Sequence, residues 1–92
     1  MTPVAPKSRI CVVDPHCMED LLYWSKQKPA IAAKVLELMQ HALRDPATGF
    51  GKPEKLKGIA GLWSRRITLE HRLVYLVQDD RIDFLQARYH YE

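Results

Sequence analysis

The chain has 92 residues and a mass of 10.7 kDa, the size of one small domain. Hydrophobic residues make up 47% and charged residues 27%, which is typical of a folded globular chain and argues against disorder. No apolar run is long enough to cross a bilayer, and the first residues lack the apolar core of a signal peptide. We therefore expect a cytoplasmic protein without a membrane segment.

Positive charge is concentrated in one part of the chain. The formal net charge is only +3, and the sequence pI is about 9.0. Between Gly49 and Tyr75, however, the sequence has only two acidic residues and six basic ones: Lys52, Lys55, Lys57, Arg65, Arg66 and Arg72. Such a segment in a small domain favours binding of a polyanion such as nucleic acid, although a solvated basic face would give the same pattern.

The chain begins with a segment that lacks periodicity. Residues 1–8 contain two prolines, so we predict a flexible tail there and one domain over residues 9–92. Residues 9–13 are mostly apolar and predict a short buried strand. The two cysteines, Cys11 and Cys17, show no CxxC spacing, and a cytosolic chain favours buried, reduced thiols.

Two helices are expected next. Asp14-Pro15 combines an N-capping carboxylate with a proline at the first helical position, and this helix should end near Lys26. Its expected apolar residues are Met18, Leu21, Leu22 and Trp24. A second helix should begin at Pro29 and end before Asp45-Pro46, because a residue before proline avoids the α conformation. Its apolar stripe is Ile31, Val35, Leu38, Met39 and Ala42.

The last part of the chain predicts strands. Residues 46–61 are rich in Gly, Pro and Lys and indicate a loop or an irregular strand. Strand-like runs follow at 62–68, 71–78 and 81–87, with short connections typical of antiparallel neighbours. The fold class is therefore α+β: an N-terminal strand, a two-helix hairpin and an antiparallel meander. The hairpin should cover one face of the sheet and leave the other open for a ligand.

Few residues suggest chemistry from pattern alone. No zinc spacing, glycine-rich phosphate loop or GxSxG motif is present, so we expect no metal and no cofactor. Metal-free RNA cleavage needs a base, a cation and an acid, which Glu54, Arg72 and His90 could supply. The alternatives stay open: Glu54 could pair with a neighbouring lysine, and the tyrosines around His90 could simply complete the core.

Three segments carry a resemblance to one family of bacterial toxins. They are residues 51–57 (GKPEKLK), residues 61–75 (GLWSRRITLEHRLVY) and residues 88–91 (RYHY). Their combination of lysine-proline-glutamate, tryptophan-serine-arginine-arginine and a closing tyrosine-histidine-tyrosine resembles the YoeB toxins, in the Txe branch of the RelE superfamily. The likeness includes Leu22-Tyr23-Trp24 and extends loosely over residues 10–91.

The resemblance implies a RelE-like, microbial-RNase-like fold and a ribosome-dependent mRNA endonuclease that inhibits translation. In that family the glutamate of the lysine-proline-glutamate motif is the general base, which is Glu54 here. The arginine after the glutamate-histidine pair stabilises the phosphate, which is Arg72. The histidine and tyrosine of the closing motif, His90 and Tyr91, complete the catalytic site. Cleavage would proceed by attack of the 2′-hydroxyl group.

The family also has basic positions that are expected to contact ribosomal or messenger RNA: Lys52, Lys57, Arg65 and Arg66. Because Arg65 and Arg66 are consecutive on a strand, their side chains should point to opposite faces, and at most one should meet RNA directly. Trp63 and Tyr75 lie in alternating strands, where core packing is the expected role.

The partners that the resemblance implies are a YefM-type antitoxin, the 70S ribosome and mRNA, and the family also allows a homodimer. Two features depart from the family pattern: about eight extra residues before the first strand, and Glu92 after the closing tyrosine. Two rival functions use no nuclease chemistry. They are a ParE-like toxin of the same fold that binds a protein target, and a plain RNA-binding module.

Overall fold

The computed structural model describes residues 9–89. In chain order they form β1 (Ile10–Val13), α1 (Pro15–Gln27), α2 (Pro29–Arg44), β2 (Glu54–Lys55), β3 (Leu62–Arg66), β4 (Arg72–Val77) and β5 (Arg81–Gln86). This order confirms the α+β class with a helical hairpin and a closing meander. The predicted tail over 1–8, and the site residues His90 and Tyr91, lie outside the described residues.

All five strands belong to one mixed sheet with the order β1-β5-β4-β3-β2. The meander β3-β4-β5 is antiparallel, and β2 extends it on one side by pairing Glu54 with Ser64. On the other side β1 pairs with β5 in parallel, with Ile10 opposite Arg81. Parallel neighbours need a long connection, and here the helical hairpin and three further strands connect β1 to β5.

The helix boundaries agree closely with the sequence prediction. Asp14 is the N-cap of α1, with its Oδ1 accepting a hydrogen bond from the His16 amide at 2.9 Å. Pro15 and Pro29 occupy the first turns of the two helices. The second helix ends at Arg44, and extended backbone at Asp45 precedes the proline as expected.

The buried stripe of α1 differs from the predicted one. Trp24 is buried and Leu21 packs against the core as predicted, but Met18 and Leu22 are each 54% exposed. Cys17 and the carboxylate residue Asp20 are buried in their place. The expectation was wrong for Met18 and Leu22 because a buried aspartate breaks the apolar pattern from which the stripe is inferred.

The first strand also differs from expectation. It is an edge strand rather than a buried one, with Ile10 65% and Val12 36% exposed. Cys11 on this strand is exposed and Cys17 is buried, and both are free thiols, so the prediction of buried thiols holds only for the second. Burial raises the pKa of the Cys17 thiol to about 12.

The core lies between the helical hairpin and one face of the sheet, called here the covered face. The second helix contributes the predicted residues Val35, Leu38, Met39 and Ala42. The sheet contributes Leu73, Tyr75 and Phe84, all fully buried, which confirms the core role expected for Tyr75. The opposite face, called the open face, has no helix of residues 9–89 packed on it.

Neither helix within residues 9–89 is long and apolar enough to cross a membrane.

Candidate active site

The strand register brings the predicted base and cation to the same face of the sheet. Glu54 on β2 lies opposite Ser64 on β3, and Arg66, two residues further along β3, lies opposite Arg72 on β4. Residues directly opposite on antiparallel strands share a face, as do residues two apart on one strand. Glu54, Arg66 and Arg72 therefore all belong to the open face, since Leu73 belongs to the covered one.

The spacing of the strands fixes the width of this surface. One strand, β3, separates Glu54 from Arg72, and neighbouring strands lie about 4.8 Å apart, so the two backbones are roughly 10 Å apart across the sheet. Two long side chains can converge across that distance on a group bound between them. Val74 and Leu62 form a buried apolar floor on the same face.

The last described residue, Tyr89, is hydrogen-bonded to Arg72 and to its neighbour His71. The Arg72 amide donates to the Tyr89 carbonyl at 3.0 Å, and the Tyr89 amide donates to Nδ1 of His71 at 2.8 Å. His90 and Tyr91 follow Tyr89 directly in the sequence but lie outside the described residues. Tyr89, the residue directly before them, is thus held at Arg72, the first residue of β4.

Helix α1 holds the same segment two residues earlier. Oδ2 of Asp20 accepts a hydrogen bond from the Ala87 amide at 2.9 Å, and Nε1 of Trp24 donates to the Ala87 carbonyl at 2.8 Å. Both polar groups of the Ala87 backbone are thus bound by residues four apart on one helix. We call Asp20, Trp24 and His71, with the Arg72 amide, the tail anchor.

Sequence reasoning missed Asp20 and His71 as contributors to the site. The role of Asp20 becomes evident once its burial is known, because a buried carboxylate needs a hydrogen-bond donor. His71 carried no signal in the sequence, since its acceptor role depends on where the end of the chain returns.

The structure corrects the expectation that Arg65 contacts RNA. This residue is fully buried, with Nε donating to the Tyr75 hydroxyl at 3.0 Å. Its terminal nitrogens donate to the carbonyls of Asp45, of Thr48 at 2.8 Å and of Phe50 at 2.7 Å. The hydrogen bonds of the guanidinium are therefore used within the fold, mostly with the loop after α2. Arg66 lies on the opposite face, as predicted, and remains the candidate for RNA contact.

The loop that Arg65 supports leads directly to Glu54. The Tyr75 hydroxyl donates to the Pro46 carbonyl at 2.7 Å, and the Arg66 amide donates to the Gly51 carbonyl at 2.6 Å. Gly51 has φ of +86°, and a Cβ there would lie 2.7 Å from Cδ2 of Leu38, so a larger residue would strain the backbone and displace Leu38. These contacts fix the approach of the chain to the short strand β2.

The loop also presents its basic residues. Lys52 has a positive φ of 52°, a strained conformation for a residue with a side chain, and it is exposed. Lys57, beyond β2, is exposed as well. Both predicted lysines therefore lie on the surface on either side of Glu54.

The charges of the open face are free to meet a ligand. Within residues 9–89 the ion pairs join His16 to Asp20 and Arg81 to Asp80 and Asp83, so none involves the open face residues Glu54, Arg66 or Arg72. Nε of Arg66 is buried and has no hydrogen-bond partner among the described residues. Two guanidinium groups on opposing strand residues without a carboxylate partner favour an anionic group such as a phosphodiester.

No group of three or more His, Cys, Asp or Glu side chains in the described part of the chain is arranged to hold a metal ion. The polar groups that the site offers are instead one carboxylate, two guanidinium groups and the two lysines of the loop. This is a combination suited to proton transfer and to binding phosphate.

The sequence of this chain matches the model of a known protein family. The model of the YoeB-like toxins of bacterial type II toxin–antitoxin systems matches residues 13–91. The chain belongs to this family. The match includes the segments with Glu54, Arg72, His90 and Tyr91, and it confirms the resemblance inferred from the sequence.

Two relatives show how close this YoeB-like toxin is to known members. The toxin YoeB from Escherichia coli is 50% identical over 74 residues, covering 79% of this chain and 88% of that protein. The toxin YoeB from Mycobacterium bovis is 48% identical over 79 residues, covering 85% of this chain and 93% of that protein.

Solved structures confirm the fold. The YoeB/ParE toxin from Agrobacterium tumefaciens, 42% identical, has a TM-score of 0.83 and covers 88% of this chain and 98% of that chain. Toxin in the YoeB-YefM complex from Staphylococcus aureus, 39% identical, has a TM-score of 0.78 with coverage of 90% and 98%. The YoeB dimer from that organism, 39% identical, has a TM-score of 0.81 with coverage of 94% and 100%.

The fold extends to a more distant relative. The archaeal RelE-RelB complex from Pyrococcus horikoshii contains a chain 19% identical with a TM-score of 0.71, covering 91% of this chain and 96% of that chain. This likeness concerns the fold alone, and it confirms the RelE-like architecture expected from the sequence.

Proposed function

We propose that this YoeB-like toxin is an endoribonuclease that cleaves mRNA on the translating ribosome in the bacterial cytoplasm. The observation that supports it best is the strand register, which assigns Glu54, Arg66 and Arg72 to one uncovered face of the sheet. The tail anchor supports it further, because it fastens the segment before His90 and Tyr91 beside Arg72.

In the proposed reaction, Glu54 removes the proton from a 2′-hydroxyl group of the mRNA. The 2′-oxygen attacks the adjacent phosphorus, and the 5′-oxygen of the next nucleotide leaves. Arg72 stabilises the negative charge that develops on the phosphate oxygens. His90 gives its proton to the leaving 5′-oxygen, and Tyr91 completes the site beside it. The products are a 2′,3′-cyclic phosphate and a free 5′-hydroxyl group.

RNA binding is assigned to the basic residues that remain accessible. Lys52 and Lys57 are exposed on either side of Glu54, and Arg66 lies opposite Arg72. These cations would bind phosphates of messenger or ribosomal RNA without reading the sequence. Affinity for ribosomes should therefore fall as the salt concentration rises.

A YefM-type antitoxin is the proposed inhibitor. The solved YoeB-YefM complex shows that a related toxin binds such a partner. The positive charge around Glu54 would attract an acidic segment of the antitoxin, and its occupation of the open face would exclude mRNA. Association with the antitoxin should therefore slow as salt increases, and the complex should not cleave.

The deciding experiment is single-turnover cleavage of a defined mRNA, mapped by primer extension with and without programmed 70S ribosomes. Wild-type toxin should cut only with ribosomes and leave 2′,3′-cyclic phosphate ends. The variant Glu54→Gln should cleave roughly 10²–10⁴-fold more slowly if Glu54 is the sole general base. The exposed α1 residue Glu19 provides the matched control, and Glu19→Gln should cleave at the wild-type rate.

Three results would contradict the proposal. Unaltered cleavage by Glu54→Gln would remove Glu54 from the base role. Products with 3′-hydroxyl ends would show that the 2′-oxygen is not the nucleophile. A wild-type toxin that blocks translation and leaves mRNA intact would support the rival functions, binding of a protein target or of RNA without chemistry.

A further inference from the structure

His71 occupies a particular place between the core and the end of the chain. Its ring packs edge-on against Trp24, with the two centroids 4.8 Å apart, and its backbone carbonyl accepts from the amides of Ile67 and Thr68 at 2.9 and 3.2 Å. The turn between β3 and β4 therefore fixes the backbone of His71, and the buried indole restricts its ring. The imidazole is therefore held on the helix side of the sheet, between the indole of Trp24 and the backbone of Tyr89.

The ring of His71 acts as a hydrogen-bond acceptor. Nδ1 receives the Tyr89 amide at 2.8 Å, so this nitrogen carries no proton, and neutral imidazole then has its proton on Nε2. Protonated imidazole has donors on both nitrogens and could not accept this bond. The contact therefore requires one tautomer of neutral His71.

The backbone of Tyr89 has an unusual conformation that hydrogen bonds stabilise. It has a φ of +60°, the left-handed region that residues with a side chain rarely adopt, and the residue is 60% exposed. An exposed residue in this conformation needs support from its backbone hydrogen bonds. Its amide is bound by His71 and its carbonyl by the amide of Arg72, so both backbone groups are used.

We propose that His71 is a positioning residue, whose unprotonated Nδ1 holds Tyr89 in its left-handed conformation and thereby sets the direction in which the backbone leaves Tyr89 towards His90, the proposed acid. This inference rests on the proposed nuclease function. His71 itself neither touches the mRNA nor transfers a proton. Its effect passes through one backbone amide, and a misplaced acid should slow the chemical step more than it weakens binding.

Side-chain replacements separate this role from general support of the fold. In His71→Asn, the amide oxygen can take the position of Nδ1 and accept the Tyr89 amide, whereas His71→Leu keeps a similar volume and removes the acceptor. His41, exposed on α2 and stacked on Phe50, provides a matched histidine-to-leucine control. Each variant is first compared with wild type by thermal unfolding and by binding to programmed ribosomes.

We expect His71→Leu to lower kcat for cleavage about 10- to 100-fold with KM within about threefold of wild type. His71→Asn should restore kcat to within about threefold, and His41→Leu should match wild type. Wild-type kcat in His71→Leu would overturn the proposal, as would a variant His71→Asn that is as slow as His71→Leu although it is folded.

A spectroscopic measurement tests the same contact without any cleavage. Nitrogen chemical shifts of His71 in the complete wild-type chain at neutral pH should show an unprotonated Nδ1 and a protonated Nε2. The opposite tautomer would refute the inference even if the toxin cleaves mRNA as proposed. Conversely, a wild-type toxin that never cuts mRNA would refute the proposed function, while the tautomer would still decide whether His71 holds Tyr89.

Discussion

The two faces of the sheet use arginine in different ways. On the covered face, Arg65 is fully buried and donates hydrogen bonds to the Tyr75 hydroxyl and to three loop carbonyls. On the open face, Arg66 and Arg72 lie opposite each other, only partly buried, and no carboxylate of residues 9–89 pairs with them. Of two consecutive residues on β3, Arg65 thus stabilises the fold, whereas Arg66 is left to bind a ligand.

This difference shows how the site can carry like charges side by side. Two guanidinium groups opposite each other on one face repel, and the arrangement becomes favourable when an anion binds between them. On the covered face, Arg65 instead holds the loop before Glu54 in place through neutral carbonyl acceptors. We therefore expect substitutions on the open face to change cleavage, and substitutions on the covered face to change stability.

Among the three arginines, the largest effect is expected at Arg72. The variant Arg72→Gln removes the cation proposed to stabilise the phosphate, and single-turnover cleavage on ribosomes should fall about 10²–10³-fold. The midpoint of urea unfolding should stay close to wild type. Arg44, exposed at the end of α2, provides the control Arg44→Gln, which should leave both measurements unaltered. A loss of stability that accounts for the lost activity would remove the distinction between the faces.

Arg65 tests the covered face. The variant Arg65→Ala leaves the Tyr75 hydroxyl and the carbonyls of Asp45, Thr48 and Phe50 without their donor, and it should lower the free energy of unfolding by about 3 kcal/mol. For a domain of this size, the melting temperature would drop by roughly 12–24 °C. The neighbouring variant Arg66→Ala should change stability by no more than about 0.5 kcal/mol. Equal losses in the two variants would contradict the comparison.

A smaller effect is expected for Tyr75→Phe. This variant keeps the ring in the core but removes the hydroxyl that accepts from Arg65 and donates to the Pro46 carbonyl. We expect a loss of about 1–2 kcal/mol in unfolding free energy, measured by urea denaturation. Cleavage by the folded fraction should stay near the wild-type rate, and a large loss of kcat in folded Tyr75→Phe would place the hydroxyl in the chemistry instead.

The smallest effect concerns the exposed side chain of Asp45, whose backbone carbonyl binds Arg65. Hydrogen bonds from the Thr48 hydroxyl, first, and then from the Ala47 amide lower the pKa of this carboxyl below its ordinary value of 3.8. A lowered pKa in the folded state stabilises the protein above pH 3.8, and this contribution is lost as the pH falls through the folded-state pKa.

The variant Thr48→Val removes the first of these hydrogen bonds and keeps the carboxyl. Proton titration by NMR should show the pKa of Asp45 rising towards 3.8. Any stability difference from wild type should be present at neutral pH and shrink at strongly acidic pH. An unaltered pKa in Thr48→Val would show that another group holds the Asp45 carboxylate.

Sequence by itself determined the local structure and the family. Asp14, Pro15, Pro29 and Pro46 fixed the helix boundaries, because capping and the restricted φ of proline act within a few residues. The strand-like run predicted at residues 71–78 is found as β4, Arg72–Val77, because a short apolar run between turns favours a strand. The motifs around Glu54 and Arg72 indicated the YoeB family, because their combination of residues resembles that of the family members.

Tertiary structure alone decided which residues meet across the fold. Arg65 and Arg66 look equivalent in sequence, yet the backbone carbonyls that accept hydrogen bonds from Arg65 lie 15–20 residues earlier in the chain. The Asp20 contact with the Ala87 amide spans 67 residues, and the Tyr89 contact with His71 spans 18. No local pattern contains such pairings, because they depend on where the sheet and the helices bring the chain back. Burial and hydrogen bonding at these sites follow from that path.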